Sequence, residues 1–504
     1  MAPDADLLMG PIPYYETDYE AFDKMANWCK TNGDKRLVLN MSYGANAGSH
    51  DTTDPEAAFI DEFIKKYDVV ACIAAGNEGD YDIVQRRTFT GAENEVMKAA
   101  YYSDLDGDGE MDFSELYNYF TVTDPEQQVE IDIVVYNSDT GKIKKTWKFV
   151  NASNPDGRKQ TYSNTTFKGT VSIESENIDN GMKGYLLTIS DITLLANNCS
   201  LGYVVRGKAG QTVTSYLESI TFFDLDVPEC DMDMTHDGII NSIACGTEPI
   251  VVGSFNTAVS YKSIDGATYG IKDVFYGTKF GNKTGNISFF SSYGKLADNR
   301  VLPHVCAPGM MLISSFSHYT ENYEEEVAQQ ITEGGTVYDF GQMSGTSMAT
   351  PYMSGICALW LEADPTLTHT QIRDIAQKTA ISDNHCTTDN YFTKAGDGNQ
   401  AGSGKVDAFA GLKYILDQKA TGLSPIATGK DFMLRSLNGN TFEAYTAGAV
   451  AMTATLYNMY GHQVASVSNA GNTVIISAEG QKKGVYILRI SDGKQTHAQK
   501  VVVR

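Results

Sequence analysis

A serine among small residues is the first feature that could carry chemistry. Ser347 follows Gly345 and Thr346, and the apolar stretch ICALWL comes shortly after it. This pattern predicts a serine at the start of an apolar helix, where its hydroxyl lies at the positive end of the helix dipole. That position suits a nucleophile. The alternative is an ordinary N-capping serine, which is common before helices.

A second segment has the spacing of a calcium-binding loop. Its twelve residues read DLDGDGEMDFSE, with acids at loop positions 1, 3, 5, 9 and 12, glycine at 6 and an apolar residue at 8. This is the EF-hand pattern, and it predicts a structural calcium ion. The alternative is a solvated acidic turn, because the following FSELYNYFTV can also form a strand. The candidate ligands are Asp104, Asp106, Asp108, Glu110 and Glu115.

The elements before residue 80 predict a parallel sheet. Residues 19–31 have the pattern of an amphipathic helix, and RLVLNMS after them that of a buried strand. Asp54-Pro55-Glu56 then opens a second helix, and DVVACIAA is another continuous apolar strand. In such sheets the functional loops lie beyond the carboxyl ends of the strands, here at Ser42 to Gly44 and Gly76 to Gly79.

The rest of the chain changes character twice. Alternating segments such as VEIDIVVYN and GYLLTISDI predict an all-β insertion over 81–233. Parallel-sheet segments return with EPIVVGSF, ISFFSSYG and LPHVCAPG, and helices follow near Ser347, at THTQIRDIAQKTA and at KVDAFAGLKYIL. The last eighty or so residues predict a small β-sandwich. The predicted domains are 1–80 and 234–422 as two parts of one core, 81–233 as the insertion, and 423–504 as the C-terminal sandwich.

Composition excludes several kinds of partner. The 504 residues carry 39 basic and 63 acidic side chains, a formal net charge of −24, which opposes binding to nucleic acid or anionic lipid. No apolar run reaches the roughly 18 to 20 residues that a membrane-spanning segment needs. The eight cysteines are scattered, without C-x-x-C pairs, so neither a zinc site nor a dense disulfide framework is indicated.

The segment Gly345 to Pro351, GTSMATP, resembles the nucleophile motif of subtilisin-like serine proteases. Other segments resemble further motifs of this family in the family's order: MAPDADLL, LNMSYG, AAGNEGD, INSIACGTEPIVVGSFN, FSSYGKLADNRVLPHVCAPG and GSGKVDA. The resemblance implies an α/β fold, a subtilisin-like parallel sheet with helices on both faces, here interrupted by an all-β, jelly-roll-like insertion and followed by a C-terminal β-sandwich. It also implies a serine endopeptidase acting on proteins or peptides.

The resemblance assigns roles to individual residues. Ser347 becomes the nucleophile, and Asn77 supplies a side-chain amide to the oxyanion hole, which stabilises the negative charge on the scissile carbonyl oxygen. The related sedolisins use an aspartate in that role, so Asn77 argues against membership of that group. The residues that would line the substrate groove and its main specificity pocket are Ser42, Tyr43, Gly44, Ala75 and Gly76.

The catalytic Asp and His are expected to be absent from this chain. In the family both precede the segment that MAPDADLL resembles, and none of the eight histidines lies in an H-G-T-H type motif. His50 matches a loop without a catalytic role, and His304 replaces an aspartate common in the family. Without a base the serine hydroxyl is not activated, so we expect the chain as it stands to be inactive. The alternatives are a pseudoprotease that only binds peptides and a surface-adhesion protein.

The C-terminal domain resembles the sorting domains of the type IX secretion system of Bacteroidetes. The resemblance rests on LYNMYGHQV, KGVYILRI and the terminal KVVVR. It implies a secreted or cell-surface protein that meets the type IX secretion machinery and loses this domain on export. The alternative is a generic adhesion sandwich.

Overall fold

The computed structural model describes most of the chain, in two compact units formed by residues 1–358 with 366–407 and by residues 359–365 with 408–504. The described residues are 2, 4–10, 19–33, 35–101, 115–178, 181–218, 222–223, 234–235, 238–275, 283–296, 298–320, 323–387, 400–420, 433–437, 440–446, 451–458, 460–494 and 496–503.

The first part of the core alternates helix and strand, as the sequence predicts. Its elements are α1 (Tyr19–Thr31), β1 (Val38–Met41), α2 (Pro55–Tyr67) and β2 (Val70–Ala74). Helix α2 begins where expected because Asp54 caps it, accepting the backbone N–H groups of Glu56 at 3.0 Å and Ala57 at 3.1 Å. It ends at Asp68, which has the left-handed φ of 50°.

The insertion is a sandwich of two antiparallel sheets. A six-stranded sheet has the order β3-β12-β5-β10-β9-β8, and a five-stranded sheet the order β13-β4-β11-β6-β7. Side chains from both sheets, such as Leu187 and Tyr203, share one buried cluster. The strands β3 to β13 are Val84–Thr88, Met97–Tyr101, Leu116–Val122, Glu130–Asn137, Ile143–Val150, Gly157–Ser163, Phe167–Asn177, Lys183–Leu195, Cys199–Arg206, Thr212–Glu218 and Phe222–Phe223.

The chain then returns to the core. A short 3₁₀ helix (Ser242–Cys245) precedes the strands β14 to β22, which are Ile250–Asn256, Ser260–Lys262, Thr268–Gly270, Gly294–Lys295, Val301–Leu302, Val305–Met310, Leu312–Phe316, Val327–Glu333 and Thr336–Met343. The helices α3 to α8 are Ile271–Val274, Tyr323–Glu326, Thr346–Ala363, His369–Thr379, Asn384–Thr387 and Ala408–Ala420.

The core sheet is parallel, with the order β1-β2-β14-β19, and helices cover both of its faces. Ala71 and Ile73 point into a buried cluster with Phe63 of α2. Cys72 points to the other face, where its sulfur lies 3.9 Å from that of Cys357 on α5. Alternate residues of β2 are therefore buried on opposite faces, which explains its continuous apolar sequence.

The expectation that ISFFSSYG is a strand of this sheet is wrong. Its serines instead bond to the neighbouring strand β14: Ser254 donates its backbone N–H to Ser291 Oγ at 2.9 Å, and Ser288 donates its own to the Ser254 carbonyl oxygen at 2.9 Å. Phe289 and Phe290 fill a separate apolar cluster. The segment is apolar because it is buried, and its hydroxyls take the place of a regular strand ladder.

The C-terminal strands form a small sandwich, as predicted. Two antiparallel sheets, β23-β24-β27 and β26-β25-β28-β29, enclose one cluster that includes Phe442, Leu456 and Leu488. The strands β23 to β29 are Met433–Ser436, Thr441–Tyr445, Ala451–Asn458, Gln463–Ala470, Thr473–Ser477, Gly484–Ser491 and Thr496–Val503.

The described part of the chain was compared with two requirements, those of a membrane-spanning helix and of a disulfide bond. None of its helices is both long and apolar enough to cross a membrane. Its seven described cysteines are all buried and unbridged.

Candidate active site

Ser347 is the second residue of α5, in the first turn of that helix. Its hydroxyl donates a hydrogen bond to the Ser42 carbonyl oxygen at 3.2 Å, and the Ser42 hydroxyl donates to the Ser347 carbonyl oxygen at 2.8 Å. This reciprocal pair joins the start of α5 to the carboxyl end of β1. The backbone N–H of Ser347 belongs to the helical turn in which N–H groups have no intrahelical acceptor.

Asn77 lies beside Ser347 and is oriented by Thr346. The fully buried Thr346 donates its backbone N–H to Asn77 Oδ1 at 2.8 Å, and its hydroxyl reaches the same oxygen at 3.0 Å and the Gly76 carbonyl oxygen at 3.1 Å. With Oδ1 accepting these bonds, the Nδ2 amide group remains as a donor. No acceptor in the described part of the chain takes a hydrogen bond from it.

The Asn77 amide and the Ser347 backbone N–H lie close together. A Cβ atom added to Gly345 would be 3.5 Å from Asn77 Nδ2 and 3.5 Å from the Ser347 nitrogen. Two N–H donors next to a serine hydroxyl can bind one negatively charged oxygen. This is the arrangement that acyl transfer requires.

A cavity of about 150 Å³ opens beside these groups. Of the predicted groove residues, Tyr43, Gly44 and Gly76 line it together with Ser347 and Asn77. Ser42 and Ala75 flank the cavity without lining it. Ser42 is held by Ser347, while the buried Ala75 donates its N–H to the Val252 carbonyl oxygen and accepts that of Asn241.

Asn241 shapes this cavity and was missed by the sequence analysis. It is buried and donates its side-chain amide to the carbonyl oxygens of Tyr43 at 3.0 Å and Ala74 at 3.3 Å, so it bridges the two loops that follow β1 and β2. A Cβ atom on Gly44 would lie 1.6 Å from Asn241 Nδ2, so only glycine fits there. The position of Asn241 within INSIACG was the available signal.

Two glutamates in the cavity wall were also missed. Glu78 follows Asn77, and its carboxylate accepts the Asn77 N–H at 2.7 Å and the Ser292 hydroxyl at 3.0 Å. Glu218 comes from the end of β12 in the insertion and accepts the N–H of Asn46. Burial raises the pKa of both carboxyl groups, and the charge of Glu78 raises the pKa of Glu218 further. Nothing in the sequence near Glu218 indicated its position.

None of the seven described histidines lines this cavity, and His236 lies outside the described residues. His50 is buried and stacks on Tyr216 with ring centroids 3.7 Å apart, and burial lowers its pKa to about 4. His304 accepts the Val251 N–H through Nδ1 at 3.0 Å, and burial lowers its pKa to about 3. Both histidines therefore have structural roles away from Ser347.

The predicted calcium loop lies outside the described residues, except for Glu115. The described Glu115 side chain accepts a hydrogen bond from the Tyr117 hydroxyl at 2.8 Å. Within the part of the chain that the structure describes, no three His, Cys, Asp or Glu side chains are grouped to hold a metal ion.

Comparison with known proteins gives a family for most of the chain. Residues 2–411 match the model of the Subtilase family, and residues 440–504 match that of the Secretion system C-terminal sorting domain. Similar curated proteins include Pyrolysin of Pyrococcus furiosus, 57% identical over 42 residues (8% of this chain, 3% of the relative). Serine protease AprX of Bacillus subtilis is 34% identical over 89 residues (18% of this chain, 19% of the relative). The matches thus span less than a fifth of either relative.

Among solved structures, the CspB protease of Clostridium perfringens is similar in fold. It superimposes with a TM-score of 0.54 and 18% sequence identity, covering 82% of this chain and 73% of that chain. At this identity the likeness supports the fold alone.

Proposed function

The chain belongs to the subtilase family, and from this premise we propose that Ser347 is the nucleophile and Asn77 the oxyanion donor of a secreted serine endopeptidase. The observation that carries the proposal is the fixed orientation of Asn77 beside the first turn of α5. Thr346 holds Oδ1 on one side, which leaves Nδ2 next to the Ser347 N–H. Family membership supports a serine-type peptidase, and the sorting domain indicates a secreted or cell-surface protein.

The proposed reaction uses the groups on this chain as follows. Ser347 Oγ attacks the carbonyl carbon of the scissile bond while a base takes its proton, and the carbonyl oxygen becomes negatively charged. The Nδ2 group of Asn77 and the Ser347 N–H donate hydrogen bonds to that oxygen. The amine of the cleaved bond then leaves with the proton, and water hydrolyses the acyl-enzyme.

The base is not among the described residues around Ser347. The hydroxyl of Ser347 donates to a backbone carbonyl, and no described histidine lines the cavity. None of the eight histidines lies in an H-G-T-H type motif. On this ground we propose that the Asp and His of the triad are not supplied by these 504 residues and that this chain alone has almost no peptidase activity. Loss of the base in a subtilisin lowers kcat by about 2 × 10⁶, and the oxyanion hole retains only about 10³–10⁴ over water.

Labelling with a fluorophosphonate tests both parts of the proposal, because this probe reports an activated serine hydroxyl. The protease secreted by its native host should be labelled at Ser347 and should hydrolyse casein, whereas the 504-residue chain should do neither. Ser347→Ala should abolish both signals. Ser354→Ala, a serine on the same helix that bonds to Asn40 at 3.3 Å, is the matched control and should keep them. Activity of the Ser347→Ala variant would refute the nucleophile, and robust activity of the short chain would refute the external base.

If the host-secreted protein is unlabelled and inactive but binds peptides, the hypothesis of a pseudoprotease replaces that of a peptidase. The cavity would then be a peptide-binding groove only.

We also propose that the loop Asp104 to Glu115 binds calcium, with Asp104, Asp106, Asp108, Glu110 and Glu115 as ligands. The support is the complete acidic pattern of the loop. For the C-terminal domain, we propose that residues 423–504 are read by the type IX secretion machinery and then removed.

A further inference from the structure

Two carboxylates line the cavity beside Ser347 without a counter-charge. Glu78 accepts hydrogen bonds from the Asn77 backbone N–H, the Ser292 hydroxyl and the Asn46 side chain. Glu218 accepts hydrogen bonds from the backbone N–H groups of Asn46 and Ala47. All of these donors are neutral. Neither glutamate forms an ion pair within the part of the chain that the structure describes.

Two carboxylates without a positive partner destabilise this part of the protein, and a bound cation would reduce that destabilisation. A carboxylate removed from water without a positive partner is destabilised, and two that share a cavity repel each other. The pKa values of both groups lie above their ordinary value of 4.5, and the pKa of Glu218 is raised partly by the charge of Glu78. An apolar guest would increase the desolvation of both carboxylates, whereas a cation would neutralise them.

The size and position of the cavity identify the substrate group that reaches it. Its volume of about 150 Å³ is below the roughly 300–1,000 Å³ of small-molecule sites and is on the scale of one amino-acid side chain. Ser347 and Asn77, which line it, must both contact the scissile carbonyl group. The nearest substrate side chain is that of the residue contributing this carbonyl.

We propose that the cavity binds a lysine or arginine side chain, so that the protease cleaves on the carboxyl side of basic residues. Glu218, from the inserted sandwich, and Glu78, from the loop after β2, are the specificity-determining residues. This inference rests on the proposed function, because it places the scissile bond at Ser347. A carboxylate in the specificity pocket of a serine protease is a general means of selecting a cationic side chain.

The test measures kcat/KM for the host-secreted protease on peptide substrates that differ only in the residue before the scissile bond. Lys and Arg substrates should exceed Met, which is similar in length but uncharged, by at least about tenfold, and Glu should be the poorest. The contribution of a partly buried charge pair to binding lies between the small contribution of exposed pairs and the large contribution of buried pairs. Removal of one carboxylate should therefore lower kcat/KM for the Lys substrate roughly tenfold.

Glu218→Gln should therefore lower kcat/KM for the Lys substrate about tenfold and change the Met substrate by less than about twofold. Glu78→Gln should act in the same direction. Glu126→Gln is the matched control, because it removes the same charge from an exposed position of the insertion and should change neither value. Glu218→Lys should reverse the preference towards the Glu substrate.

Three results would contradict the proposed preference for basic residues or its assignment to Glu78 and Glu218. Equal or faster cleavage after Met in the wild type overturns the inference, and this measurement needs no folded variant. A Lys preference that survives both Glu→Gln changes overturns the assignment to these carboxylates. Ser347 labelled by fluorophosphonate but without basic preference refutes this inference alone, whereas an unlabelled, inactive protein refutes the proposed function.

Discussion

Replacing Asn77 by aspartate separates its chemical role from its structural one. The carboxylate of Asp keeps an oxygen where Oδ1 now accepts the Thr346 N–H at 2.8 Å, so the first turn of α5 remains supported. The donor at the Nδ2 position is lost. Alanine removes both functions, which makes Asn77→Ala the second variant of the set.

The expected magnitudes differ for the two properties. Loss of one oxyanion donor should lower kcat by about 10²–10³, or roughly 2.7–4 kcal/mol, the cost measured for the corresponding amide in a subtilisin. In Asn77→Ala the N–H of the fully buried Thr346 also loses its acceptor, which should cost about 1–3 kcal/mol of stability. In Asn77→Asp that acceptor stays, and the added charge on an exposed residue next to Glu78 should cost no more than about 1 kcal/mol.

The assay combines kcat on a chromogenic peptide with the free energy of unfolding in urea, both for the host-secreted protease. We expect both variants to lose activity alike, while only Asn77→Ala loses substantial stability. Retention of kcat within about threefold in Asn77→Asp would contradict the oxyanion role. Parallel loss of activity and stability in both variants would mean that Asn77 acts by holding α5 in place.

Three further predictions address other parts of the molecule. Millimolar calcium should raise the melting temperature relative to chelator in the wild type but not in Asp108→Ala. Equal melting temperatures of both proteins, each with calcium and with chelator, would refute calcium binding by this loop. Deletion of residues 423–504 should block export in the native host, and normal appearance of the shortened protein in the medium would refute the sorting role. Burial lowers the pKa of His50 to about 4 from 6.5, so the unfolded chain binds this proton at a higher pH than the folded chain. Stability should therefore fall by up to about 3 kcal/mol as the pH decreases from 6.5 to 4, and urea titrations of His50→Gln should show a shallower dependence.

Much of the core could be predicted from local sequence signals. The first helix occupies residues 19–31 as expected, and Asp54 and Pro55 start α2 because capping and proline geometry act within a few residues. The segment ISFFSSYG has the apolar pattern of a buried strand, but burial without strand pairing explains its apolar residues. A sequence pattern reports burial directly but hydrogen-bond partners only indirectly.

The residues of the candidate site also differ in whether a local sequence pattern could predict them. Ser347 and Asn77 could be proposed because each belongs to a continuous motif. Glu218 could not, because its place in the cavity depends on a pairing between distant strands, which no local pattern specifies. Asn241 is intermediate, since it lies within a family-like segment but acts through contacts with the loops after β1 and β2.

The position of Glu218 follows from the way the insertion closes. The strand β3 starts six residues after Glu78, and β12 pairs with it antiparallel, with Tyr216 opposite Val84. The last strand of that sheet thus returns to the point where the insertion leaves the core. Tyr216 lies two residues before Glu218 and stacks on His50, while Asn46 donates its N–H to Glu218 itself. Because a shift of one residue in this register would turn Glu218 away from the cavity, the sandwich acts as the support of a specificity residue.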